Sequence, residues 1–267
     1  MPALTVLAAS CVLMVSSMHP PLGQLSDDNI KALNATPFDG VAVDVIGPYD
    51  GSPLPDEAAL RKHCEHVRGV STKAIWPRVY GNRTVELSPK IKARNASRTP
   101  AYFEAIRGMD IHDTAGALGD FYRLCRMSLK MARTLGAPGI VFDLEVYNHS
   151  DGYRVQWIAD RQGRTPAEVI ARLKAIGAQV ADITGEEFPH AVLWSLFTTL
   201  NRPAQYREPG GNYYTAPAYV FMGLLERAAE KRIPLRLVSG GEWGGYCYKS
   251  VEAMRERFAT RNAGFQP

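Results

Sequence analysis

Asp143 and Glu145 stand two residues apart in GIVFDLEVY, the run from Gly139 to Tyr147. Side chains on a strand alternate faces, so Val141, Asp143 and Glu145 share one side while Ile140, Phe142, Leu144 and Val146 share the other. If the apolar set packs against helices, the two acids emerge together with Cα atoms roughly 6 to 7 Å apart. Like charges at a partly buried site raise one another's proton affinity, so one carboxyl keeps its proton near neutral pH while its neighbour stays charged. Cleavage of a glycosidic bond uses that division of labour. A third acid, Glu242, lies in SGGEWGGYCY, where glycines permit close backbone approach to a ligand and aromatic residues follow. The chemistry expected of this trio has Glu145 as general acid/base, Asp143 tuning its proton affinity, and Glu242 as nucleophile or as base for water.

Residues that could hold a sugar gather at the same ends of the predicted strands. Asp44, Trp76, Arg78, Tyr80, Tyr147, His149, Trp194, Trp243 and Tyr246 form the expected substrate-binding set. Flat rings stack on the apolar faces of sugars and leave the hydroxyls to polar neighbours. His19 and His149 could instead join the acids around a hard divalent cation, as in a metal-dependent sugar isomerase or epimerase. Their spacing matches no diagnostic metal pattern, and the expectation is a site with no metal and no cofactor. A non-catalytic carbohydrate-binding barrel is the remaining alternative. Serine hydrolysis is disfavoured, because GxSxG is absent and Ser195 falls inside a strand without a nucleophile elbow.

The elements that must position these residues follow a repeated pattern. Short runs rich in β-branched and aromatic residues alternate with amphipathic stretches of helical period, the signature of βα units around a parallel sheet. The runs are residues 11 to 18, 38 to 45, 72 to 80, 139 to 147, 191 to 200 and 234 to 243. Helices are expected from Ser26 with Asp27 and Asp28 in the first turn, from Pro55 to Arg68, from Gly116 to Leu135, from Thr165, from Ala216 to Lys231, and from Ser250 to Arg261. Thr165-Pro-Ala-Glu168 reads as N-cap, first-turn proline and capping-box acid. The connection from Gly81 to Ala115 exceeds ordinary loop length and reads as a functional excursion.

The expected fold is therefore α/β, a TIM-type (β/α)8 barrel forming one domain over residues 1–267, complete or irregular. A full barrel needs eight units, and about six are legible. Missing strands could lie in the connections, for example within Tyr153 to Ile158. The alternative of an open doubly wound sheet lacks a GxGxxG or Walker-type loop after any strand.

Bulk properties narrow the partners. The 267 residues are 46% hydrophobic and 22% charged, a composition that can bury a sizeable core. Lys and Arg outnumber Asp and Glu by 31 to 27, for a net charge of +4, and the basic residues are scattered, with no concentrated stripe. A nucleic-acid partner is not expected. The apolar run from Leu4 to Met18 has no Lys or Arg before it and is too short to span a bilayer, so it reads as the first core strand and no membrane partner is expected. Cys11, Cys64, Cys125 and Cys247 lack CxxC spacing and read as buried free thiols. Asn-x-Ser/Thr sequons begin at Asn34, Asn82, Asn95 and Asn148.

FDGVAVDV, GIVFDLEVY and LVSGGEWGGY, in that order and spacing, resemble glycoside-hydrolase-like (β/α)8 proteins of environmental bacteria. Asp143 and Glu145 also resemble the Asp-x-Glu strand end of chitinase-like and lysozyme-like barrels, which implies Glu145 as proton donor and Asp143 as the group that positions or stabilises. The longer DxxDxDxE pattern of the chitinase-like family is not met, since Pro138 and Val141 occupy its two earlier Asp positions. The resemblance therefore does not extend to assistance by an N-acetyl group. A carbohydrate partner is what it implies.

Overall fold

A computed structural model describes residues 14–16, 25–44, 56–80, 117–144, 155–196 and 215–239, together with 250, 252, 253 and 256. Its elements in chain order are β1 (Met14–Ser16), α1 (Asp27–Asn34), β2 (Gly40–Asp44), α2 (Glu57–Val70), β3 (Ala74–Tyr80), α3 (Ala117–Leu135), β4 (Gly139–Asp143), α4 (Val155–Gln162), α5 (Pro166–Glu187), β5 (Val192–Ser195), α6 (Thr215–Lys231) and β6 (Arg236–Ser239). The chain is thus an α/β protein with a parallel sheet.

Helix starts follow from side chains that satisfy the orphaned first-turn N–H groups. Ser26 Oγ accepts from Asn29 N at 3.2 Å, and Asp56 Oδ1 accepts from Ala58 N at 2.7 Å. Thr165 and Glu168 complete a reciprocal capping box, with Pro166 in the first turn. Residues 252, 253 and 256 are helical, and Ser250 Oγ accepts from Ala253 N at 3.1 Å, as expected of a helix starting there. The segment around Tyr153 to Ile158 departs from expectation. Instead of a hidden strand, α4 begins at Val155. Val155, Ile158 and Ala159 are its buried residues, an i, i+3, i+4 stripe that only a helix brings to one side.

The six strands pair in chain order, β1-β2-β3-β4-β5-β6, every neighbouring pair being parallel. The ladder from β3 to β4 begins at Arg78 opposite Val141, one residue after Pro77. Proline's missing N–H therefore falls where β3 has no bridge to β4.

Strand alternation divides the apolar residues into two groups. Val41, Val43, Ile75, Val79, Ile140, Phe142, Leu144 and Leu193 join the helices in one large core. Phe142 anchors it, with Phe121 of α3 at 6.1 Å and Phe221 of α6 at 6.0 Å between ring centroids. Each such large apolar side chain stabilises by about 1.5–3 kcal/mol when fully buried. The opposite face carries a smaller cluster made of strand residues: Ala42, Trp76, Val141 and Val192, with Ala74, Trp194 and Leu196 packed against it. Ala42 lies opposite Trp76 in register. Small residues on this face leave the room that the indole fills.

Two contacts tie the layers. Asn34, the first of the sequon asparagines, donates from Nδ2 to the Val70 carbonyl at 2.9 Å and accepts from Thr72 N at 2.9 Å, which joins the end of α1 to the turn from α2 into β3. Helices α5 and α6 approach through Gly177 and Gly223. A Cβ at Gly177 would stand 1.8 Å from the Val220 carbonyl oxygen, and one at Gly223 would stand 2.0 Å from that of Lys174. Among the described residues, no helix is long and apolar enough to cross a membrane.

Candidate functional site

Strand β4 is buried along its whole length, and its ladder with β3 ends at Asp143. Ile140 and Phe142 enter the helix-side core, whereas Val141 belongs to the smaller cluster. Alternation then sends Asp143 to the face that, among the described residues, no helix covers, where it is 0% exposed. A buried carboxylate needs a partner of opposite charge or strong donors. Arg78, 5% exposed, supplies one by donating from Nη2 to Asp143 Oδ2.

The same alternation explains Arg78. In β3, Ile75 and Val79 enter the helix-side core, so Trp76 and Arg78 take the opposite face. Arg78 lies opposite Asp44 on β2 and opposite Val141 on β4, and Tyr80 lies opposite Asp143. Val141 in turn lies opposite Trp194 on β5. The backbone thus brings positions 44, 78, 80, 143 and 194 to the carboxyl halves of four adjacent strands, with Trp76 two residues before Arg78 on the same face. Trp76 and Trp194 meet edge to face, with centroids 6.1 Å apart and planes at 77°. Such a pair adds roughly 0.5–1.5 kcal/mol beyond the area it buries.

Of the expected catalytic acids, Asp143 is described, and it is engaged by a cation. The sequence placed Arg78 in a ligand subsite and Asp143 beside another acid; the ion pair between them went unread. Its signal was present in AIWPRVY, since the alternation applied to β4 also puts Arg78 on the face of Asp143. A cation and an anion on one buried face pair because burying either charge without a partner is too costly. Glu145, Tyr147, His149, Glu242, Trp243 and Tyr246, with His19, lie outside the described residues. For Asp44 and Tyr80 the backbone position is described.

Ser195 is fully buried and follows Trp194, so alternation turns it to the face away from Asp143. A cavity of about 350 Å³ lies on the helix side between α2 and α3, lined in part by Cys64, Met127, Lys130 and Glu187. It shares no residue with the face that holds Asp143. Among the described residues, no group of His, Cys, Asp and Glu could hold a metal ion. Comparison with family models, with curated proteins and with solved structures finds no match to this chain.

Proposed function

We propose that this chain is a glycoside hydrolase built on a (β/α)8 barrel. Two features support the barrel. The described strands run in chain order without a reversal, whereas a doubly wound sheet reverses at a switch point. The helices join one core with one face of the sheet, while the cluster on the other face is made of strand residues, as the interior of a barrel is.

The observation that carries the functional reading is the Arg78 and Asp143 ion pair. It sits at the carboxyl ends of β3 and β4, on the face with Trp76 and Trp194, and sites of barrels are built at that end. Burying opposite charges there seldom repays its desolvation in stability alone. In the proposed mechanism Asp143 anchors the end of β4 through Arg78. Glu145 gives its proton to the leaving oxygen, and Glu242 attacks the anomeric carbon or activates water; these two roles rest on the sequence. A Glu145 to Glu242 carboxyl separation near 5 Å gives retention, and one of roughly 6.5 to 9.5 Å gives inversion.

The test is Glu145→Gln assayed on a panel of polysaccharides by release of reducing ends. Loss of turnover with an unchanged thermal unfolding profile is the expected result, and full activity in that variant ends the assignment.

A further inference from the structure

The sheet face opposite the described helices holds a donor that nothing among the described residues satisfies. Trp76 is 7% exposed and its Nε1 is buried, yet no acceptor lies within hydrogen-bonding reach of it there. A buried donor without an acceptor forfeits its hydration and gains nothing in return, so such groups are uncommon in folded proteins and call for an explanation. The ring set against it, Trp194, is only partly buried. In the charged pair beside these rings, Arg78 Nη2 donates to Asp143 Oδ2. Arg236, the exposed cation of β6, lies opposite Val192 in register and not opposite Trp194.

From these placements we infer that Trp76 and Trp194 form the seat for one neutral sugar ring, with Trp76 Nε1–H donating to an oxygen of the sugar and Trp194 packing on its apolar face. The inference rests on the carbohydrate reading and adds to it a donor and a charge class. An indole offers a neutral N–H and a flat apolar surface, which suits hydroxyls on a ring. A carboxylated or phosphorylated sugar calls for a cation free to bind it, and the buried cation of this face is already paired. Because Nε1 is covered as it stands, Trp194 shifts when the sugar enters, the side-chain adjustment that commonly accompanies binding.

Trp76→Phe keeps a ring and deletes the donor. Titration calorimetry of the full chain with cellotriose, xylotriose, maltotriose and chitotriose, and with trigalacturonic acid as the anionic counterpart, tests the seat. The expected result is binding of at least one neutral trisaccharide with a change in tryptophan emission, weakened about tenfold in Trp76→Phe while thermal stability is kept or raised. Trp194→Ala, at a partly buried position, should weaken binding at least as much. Equal affinity in Trp76→Phe, tighter binding of the anionic trisaccharide, or no binding of any neutral one overturns the inference. Cleavage assays on the same samples separate the two ideas. Binding that depends on Trp76 without cleavage leaves the seat and removes the hydrolase, whereas cleavage indifferent to Trp76→Phe leaves the hydrolase and removes the seat.

Discussion

Arg78 and Asp143 are ion-paired across adjacent strands although neither is the other's register partner: Val141 lies opposite Arg78, and Tyr80 lies opposite Asp143. The guanidinium therefore reaches diagonally toward the strand end. Removing one member takes this partner from a charge at a site 5% exposed or less, and breaking a buried pair typically costs about 3–5 kcal/mol. Arg78→Ala and Asp143→Ala should each lower the unfolding free energy in urea by that order. The double variant Arg78→Met/Asp143→Leu should recover much of it, since both charges of the pair are then gone. Single variants that each lose less than about 1 kcal/mol, the range of an exposed pair, would show that the two charges are not buried together.

The glycines make a sharper contrast, because the sign of the effect changes with position. Gly177→Ala and Gly223→Ala put a methyl group against a facing backbone, and they should destabilise by about 1–3 kcal/mol as α5 and α6 are pushed apart. A Cβ at Gly69, in the last turn of α2, meets nothing within 4 Å. Gly69→Ala should therefore stabilise by roughly 0.5–1 kcal/mol, through lower chain entropy in the unfolded state. Thermal melts of the three variants check both signs, and destabilisation in all three would contradict the packing described.

The cysteines supply a chemical readout of the helix-side core. Burial pushes the Cys64 thiol up to about 11 with a smaller contribution from Glu65, and burial pushes Cys125 up further. Both are free and fully buried. Thiolate is the reactive form, so iodoacetamide at pH 8 should leave the peptides bearing Cys64 and Cys125 unmodified in the folded protein and label them in urea. Mass spectrometry after short exposure decides this, and equal labelling in both conditions would mean that α2 and α3 do not close over them.

How far these features could be read from the sequence depends on how local their physics is. The caps at Ser26 and Thr165 were legible because each is settled within three residues, whereas α2, expected from Pro55, starts at Glu57 with Asp56 as its cap. The strands were legible as apolar runs, yet their ends were drawn too wide, since pairing with a neighbour sets where Gly139–Asp143 or Val192–Ser195 stops. At α4, where Tyr153 to Ile158 was a candidate for a missing strand, burial of Val155, Ile158 and Ala159 against other elements decided for the helix. The ion pair of Arg78 and Asp143 lies between the two cases. Its face was predictable from alternation, whereas its partnership required knowing that β3 and β4 are neighbours.

Asp182 of α5 gives the last prediction, on pH. It accepts from Arg227 Nε at 3.0 Å and from Lys231 Nζ at 2.9 Å, both on α6. The hydrogen bonds from Arg227, helped by Lys231, hold its carboxyl below the usual 3.8 against an opposing effect of burial. A carboxyl whose proton affinity falls on folding adds stability that is complete above its unfolded value. That stability disappears as pH drops through the lower folded value. Asp182→Asn should therefore cost about 0.5–1 kcal/mol at pH 7, the scale of a partly exposed network. The gap between variant and parent should close as pH falls from 5 through the acid range, because the parent then loses the charge the variant never had. Urea unfolding of both proteins at pH 7, 4 and 2.5 follows it. A gap of constant size at all three values would mean that Asp182 contributes through packing or neutral hydrogen bonds and not through its charge.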